Sequence, residues 1–132
     1  MPGIGKSVLA RAVGGELGWP VLDKDDIKDV LAGRTDRADE LAYDLLFHLA
    51  HSQLRQGLSV ICDSPLMHPG LYALAGRTAQ VSGAALVVLD CVVPNAAEHQ
   101  RRLETRGAGD PTRTWRVNDW HGFIACTACQ TA

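Results

Sequence analysis

No stretch of this 132-residue chain approaches the roughly 20 consecutive apolar residues of a membrane-spanning helix. Its first residues lack the basic region and apolar core of a secretory leader. Charge of neither sign dominates: 13 Lys and Arg stand against 15 Asp and Glu, net −2, so nothing electrostatic points to nucleic acid or a membrane surface as partner. Cysteines are few. Cys62 and Cys91 fall within or at the end of apolar runs, as small hydrophobes in a reducing compartment do. Cys126 and Cys129 have C-x-x-C spacing, but without the second ligand pair of a zinc site or the βαβ setting of a redox motif, and are read as a coincidental pair. Internal repeats are absent. What remains is a soluble, cytoplasmic protein of one domain, 46% hydrophobic and 21% charged, long enough to bury a core.

What is present begins at once. Met1-Pro2-Gly3-Ile4-Gly5-Lys6-Ser7 supplies Gly5, Lys6 and Ser7 of the phosphate-cradling pattern G-x-x-x-x-G-K-[ST] in register, with Pro2 and Gly3 making the turn. Glycines let backbone N–H groups close around phosphate oxygens, the lysine reaches the β/γ-phosphates, and the hydroxyl ligates Mg²⁺. The pattern's first glycine would stand one residue before Met1, and no strand precedes the loop, so the chain begins inside its own motif. Val8 to Leu17 reads as a helix with its N-terminus toward the anion and a stripe of Leu9, Val13 and Leu17. Gly14 and Gly15 interrupt it, each costing about 1 kcal/mol against alanine.

Strand and helix signals then alternate. Pro20-Val21-Leu22 is a short strand, and Asp23 or Asp25 caps a helix over Ile27 to Leu31. Ala38 to Gln56 is the clearest helix, with Leu41, Leu45, Leu49 and Leu46, Ala50, Leu54 as one wide apolar stripe. Leu58 to Cys62, closed by Asp63, reads as a buried parallel strand. Pro69 opens a helix to about Val81. Ala84 to Val93 is the second strong strand, and Asn95 with Glu98 resembles a capping box opening a helix to Arg106. This order predicts an α/β fold with a mainly parallel sheet. After Gly107 periodicity fades, and residues 107–132, with Trp115 and Trp120, read as an irregular tail to a domain over 1–106. His48, His51 and Asp44 have helical metal-site spacing but suggest no third ligand, and are read as helix-surface residues.

The series Pro2-Gly3-Ile4-Gly5-Lys6-Ser7, Asp25-Asp26-Ile27-Lys28, Val60-Ile61-Cys62-Asp63 and Arg102-Leu103-Glu104-Thr105-Arg106 resembles the small P-loop kinases of the AAA-type ATP-binding family, which includes zeta toxin, chloramphenicol phosphotransferase and gluconate kinase. The resemblance covers roughly residues 1–106. It implies a three-layer P-loop NTPase-type sheet flanked by helices, with ATP and Mg²⁺ as cofactors and a small molecule as acceptor. Gly3, Ile4, Gly5, Lys6, Ser7 and Val8 would bind the nucleotide, and Ser7 and Asp63, the latter directly or through water, would hold the metal. Asp25 would accept the acceptor's hydroxyl proton, with Asp23 as fallback base and helix capping as the simpler account of either. Arg102 and Arg106, four apart on one helical face, would clamp the transferring phosphoryl group. They belong to the one clearly basic stretch of the chain, five arginines from Arg101 to Arg116.

The resemblance also implies what departs from it. The family's strand order, 2-3-1-4-5, puts the strand before the P-loop between the strands at 58–62 and 86–92. Its loss would leave backbone groups unpaired at about 1–3 kcal/mol each, against a total stability of about 5–15 kcal/mol. The chain therefore reads as truncated at its N-terminus and divergent at its C-terminus. Two further readings accompany kinase activity: ATP hydrolysis without a dedicated acceptor, and a non-catalytic nucleotide-binding remnant.

Overall fold

A computed structural model describes residues 4–107, the side chains of 106 and 107 excepted. Gly3, Trp115, Trp120, Cys126, Cys129 and the rest of the predicted tail lie outside the described residues. The chain divides into two compact units, Lys6–Leu89 and Met1–Gly5 with Asp90–Ala132.

In the first unit the elements run α1 (Lys6–Leu17), β1 (Val21–Asp23), α2 (Lys24–Leu31), α3 (Ala38–Leu54), β2 (Ile61–Asp63) and α4 (Pro69–Val81). β1 and β2 pair in parallel, with Val21, Leu22 and Asp23 opposite Ile61, Cys62 and Asp63. Successive strand residues face opposite sides. Val21 and Ile61 meet α1, whereas Leu22 and Cys62 pack on Tyr43, Leu46, Phe47 and Ala75 of α3 and α4. The result is the three-layer α/β arrangement, with helices on both faces of a short parallel sheet.

Three expectations change. Ala84 to Val93 forms no strand, and among the described residues the sheet ends at β2. An apolar run becomes a strand only when a neighbour completes its ladder, and among the described residues none pairs with it. Leu86, Val87, Val88, Leu89 and Val92 are accordingly exposed. The buried face of α3 is Ala38, Ala42, Tyr43, Leu46, Phe47 and Ala50, while Leu45 and Leu49 face outward. Only part of the predicted stripe therefore meets the core, and aromatic residues between the leucines fill the rest. The α1 stripe is likewise not the packed face, since Leu9 and Leu17 are exposed.

What seats α1 is Gly14. A Cβ built there would stand 2.5 Å from Val21 Cγ2, 3.0 Å from the Trp19 carbonyl oxygen and 3.6 Å from Ile61 Cδ1. The glycine that reads as a helix weakness lets the helix lie directly on both strands. Gly15 points into open space and has no such reason to be glycine. Cys62 behaves as the hydrophobe expected, burial pushing its thiol up to about 11.

In the second unit α5 (Ala96–Gly107) starts where Asn95 predicts, its Oδ1 accepting the Glu98 N–H at 2.8 Å. The capping box is only half made, because the Glu98 carboxylate turns to Arg101 and Arg102 instead.

Gly14→Ala should destabilise the protein by about 1–3 kcal/mol through overpacking. Gly15→Ala should stabilise it by about 0.5–1 kcal/mol through helix propensity. Urea unfolding of the two variants checks both signs.

Candidate functional site

The site is built at the carboxyl ends of the two strands. Gly14 lies over the first residues of the strands, and Arg11, one turn earlier in α1, reaches Asp23 at the end of β1 with 3.6 Å between Nη2 and Oδ2. α1 therefore runs antiparallel to the strands. At 1.5 Å per residue, Ser7 lies about 6 Å further along, past the strand ends. The positive end of the α1 dipole, with Lys6 in its first turn, is thus directed to the end of the sheet where open α/β folds bind ligands.

Asp23 and Asp63 close their strands side by side, on the α1 face. Asp63 is 7% exposed, and its Oδ2 accepts no hydrogen bond from any described residue. A buried carboxylate oxygen without a donor is costly, and a cation answers that need better than any neutral partner. These residues fit the Mg²⁺ that the motif calls for. Among the described residues no group of three or more His, Cys, Asp or Glu gathers around a metal position, so protein carboxylates would supply only part of the shell. Mg²⁺ is ordinarily held that way, by one or two carboxylates with water and phosphate oxygens completing the octahedron.

Asp23 settles the capping question. Its Oδ1 accepts the Asp25 N–H at 2.8 Å, so Asp23 is the N-cap of α2, which starts at Lys24 rather than Ile27. Burial raises the Asp23 pKa above the ordinary 3.8; the Asp25 N–H opposes this, and the charges of Asp63, Asp26 and Asp25 add to it. Asp25, in the first turn and partly exposed, points its carboxylate 3.6 Å from Lys24 Nζ.

Lys24 is the residue that sequence reasoning missed. It stands among Asp23, Asp25 and Asp26 in the sequence, yet it is 5% exposed. Its Nζ donates to Asp39 Oδ1 at 2.8 Å and sits 5.0 Å from the Tyr43 ring centroid, a cation–π contact. Lys28 Nζ reaches the same Asp39 oxygen at 2.6 Å. Burial pushes the Asp39 pKa up, but the hydrogen bonds and charges of both lysines outweigh it and hold the carboxyl below the usual range. The Tyr43 hydroxyl donates to the Pro65 carbonyl at 2.8 Å, tying α3 to the loop after β2. Burial, with the nearby Asp39 and Asp25 charges, raises the Tyr43 pKa. No sequence signal marks Lys24, because its partners Asp39 and Tyr43 come from another helix.

In the second unit Gly5 has φ +92°, the left-handed region that favours glycine, and Arg102 Nη1 lies 3.7 Å from where a Gly5 Cβ would stand. The predicted lid arginine is thus beside the phosphate loop's glycine. It also donates through Nε to Glu98 Oε1 at 2.5 Å, and Arg101 binds the same carboxylate twice, at 2.9 Å each. These bonds, Arg101's first, hold the Glu98 carboxyl down to about 2. Arg106 falls in the last turn of α5, its side chain outside the described residues. Ile4, Lys6 and Ser7 are half-buried and Val8 is exposed. His51 is engaged structurally, its Nδ1 2.8 Å from the Ser82 hydroxyl. No described helix is long and apolar enough to cross a membrane.

The family model described as an AAA domain matches residues 1–118. No curated protein and no solved structure matches the chain. The match takes in the phosphate loop, both strand-ending aspartates and α5, and it carries the P-loop NTPase fold with which the parallel strands and flanking helices agree.

The raised Asp23 pKa sets a pH dependence. The folded state holds this proton more tightly than the unfolded chain, so the associated stability is complete below the ordinary 3.8 and is lost as pH rises through the folded value. Asp23→Asn keeps a good helix cap and removes the ionisation. In EDTA, its urea midpoint should therefore fall less than the wild-type midpoint as pH rises from the ordinary 3.8.

Proposed function

The chain belongs to the AAA domain family, and from that premise we propose that it is a P-loop kinase transferring the γ-phosphoryl group of ATP to a hydroxyl of a small molecule. The observation that carries this reading is the buried, unpartnered Asp63 oxygen beside Asp23, at the sheet end toward which α1 directs Lys6 and Ser7.

On this reading the backbone from Gly3 to Val8 cradles the phosphates, with Gly5 adopting the left-handed turn the cradle needs. Lys6 neutralises charge on the β- and γ-phosphates. Ser7 and Asp63 hold Mg²⁺, which when bound supplies charge neutralisation to the transferring group. Asp25 stands in the first turn after β1, partly exposed and so open to an acceptor. It takes the hydroxyl proton as the acceptor oxygen bonds to the γ-phosphorus and the bond to the ADP oxygen breaks. Lys24 Nζ lies 3.6 Å from the Asp25 carboxylate. Arg102 and Arg106 take the lid role; Arg102 is already against Gly5. The acceptor is a small molecule, and neither nucleic acid nor membrane takes part.

Mg-ATP at 100 times its Kd should stabilise the protein by about 2.7 kcal/mol, read as a rise in Tm. Lys6→Ala should abolish the rise; an unchanged rise would remove the loop as the site. Asp25→Ala should lower transfer to an acceptor by a factor of about 10²–10⁴ while retaining the ATP shift. Loss of ATP binding in that variant would reduce Asp25 to a structural acid, and ADP release unchanged by any acceptor would favour hydrolysis over transfer.

A further inference from the structure

We propose that Asp23 and Asp63 together form a divalent-cation site that fills without nucleotide, with Mg²⁺ or Mn²⁺ as the ion. The proposal rests on the reading of Asp63 as a cation ligand and extends it to Asp23 and to the nucleotide-free protein.

The two carboxylates are mounted on register partners of a parallel ladder and face the same side of the sheet. Paired strands lie about 4.8 Å apart, so both side chains can reach one ion through metal–oxygen bonds of about 2.0–2.1 Å. Asp63 contributes its Oδ2, buried and without a donor. Asp23 divides its work. Oδ1 is committed to the Asp25 N–H at 2.8 Å, which fixes the carboxylate's orientation. Oδ2 faces the Arg11 guanidinium at 3.6 Å, longer than a hydrogen bond. The Arg11 side chain is 65% exposed and that of Asp23 only 9%, so the guanidinium is a screened, displaceable neighbour of a buried oxygen.

Among the described residues the buried ammonium nearest these two acids, Lys24, is turned elsewhere: it donates to Asp39 and lies over Tyr43. Asp25 and Asp26 add further negative charge that acts on Asp23. Two desolvated carboxylates side by side repel each other, and a divalent ion between them turns that repulsion into attraction whether or not phosphate is present. The donor set names the ion class. Oxygen ligands without His or Cys disfavour Zn²⁺, and two carboxylates fall short of the six to eight oxygens that Ca²⁺ takes.

The test is a Mn²⁺ titration of the full chain free of nucleotide, followed by electron paramagnetic resonance, with MgCl₂ as competitor and thermal melting as second readout. One Mn²⁺ per chain is expected, displaced by Mg²⁺, with Tm rising on addition of MgCl₂ alone. Asp63→Asn and Asp23→Asn should each weaken Mn²⁺ binding at least tenfold. Asn caps a helix as well as Asp does, so Asp23→Asn stays folded, which circular dichroism verifies, and it carries the test should Asp63→Asn not fold. Absence of bound Mn²⁺ at millimolar concentration would overturn the proposal, as would wild-type affinity in Asp23→Asn. The outcomes separate it from the kinase reading. Mn²⁺ binding without any ATP-induced shift keeps this site and removes the kinase. An ATP shift without Mn²⁺ binding to the nucleotide-free chain removes this site alone.

Discussion

The contact of Gly14 with Val21 and Ile61 is the constraint on which the rest of the site depends. Because no side chain intervenes, α1 lies on the strands at the closest approach a helix allows, and its direction is fixed by that seat together with Arg11. The direction matters more than the closeness. An antiparallel helix brings its N-terminal turn to the carboxyl ends of β1 and β2, where the strand-ending aspartates stand, so the positive helix end and two carboxylates share one locality. A cation and a polyphosphate are complementary to that combination, the cation to the carboxylates and the polyphosphate to the helix end.

Charge in this unit is sorted by burial. Asp23 and Asp63 sit desolvated on one face of the sheet. Lys24 is as deeply buried, but Asp39, the Tyr43 ring and Lys24's own helix surround it with partners. A buried charge of that kind adds less to stability than to geometry, since the penalty of desolvation offsets most of the attraction. What it secures is position: α2 is pinned to α3 through Lys24, Lys28 and Asp39, and Asp25 is held in the turn that follows β1. The acid read as the acceptor's base thus gains an oriented setting although its own helix is only eight residues long.

Much of this was legible in the chain itself. The helix behind the glycine loop, the two strand-ending aspartates, the Pro69 helix start and the Asn95 cap are local signals, each set by a few neighbouring residues, and the elements they mark occur close to where expected. What escaped depends on residues far apart in sequence. Gly14 reads as a weakness until Val21 and Ile61 are seen against it. Lys24 carries no local signal because Asp39 and Tyr43 lie 15 and 19 positions away. Ala84 to Val93 has as strong a strand composition as any stretch here, yet composition supplies only the side chains; the ladder needs a neighbour. The α3 stripe was misjudged for a related reason, because leucine count says how apolar a face is and not which face the sheet offers to cover.

On the proposed kinase reading, Arg102 would serve the phosphate although its guanidinium already has a partner. Its guanidinium is bonded to Glu98, a partner it shares with Arg101, and it also lies beside Gly5. Were the ion pair buried, giving it up would leave a charge stranded, and the arginine would be structural. Both side chains are instead open to solvent, where ion pairs are weak and screened by salt. A phosphate oxygen presents more charge than a carboxylate and accepts from a guanidinium in the same planar geometry. Glu98 keeps Arg101 when Arg102 leaves, so neither partner is abandoned. On that reading the Glu98 triad holds Arg102 beside Gly5 without committing it.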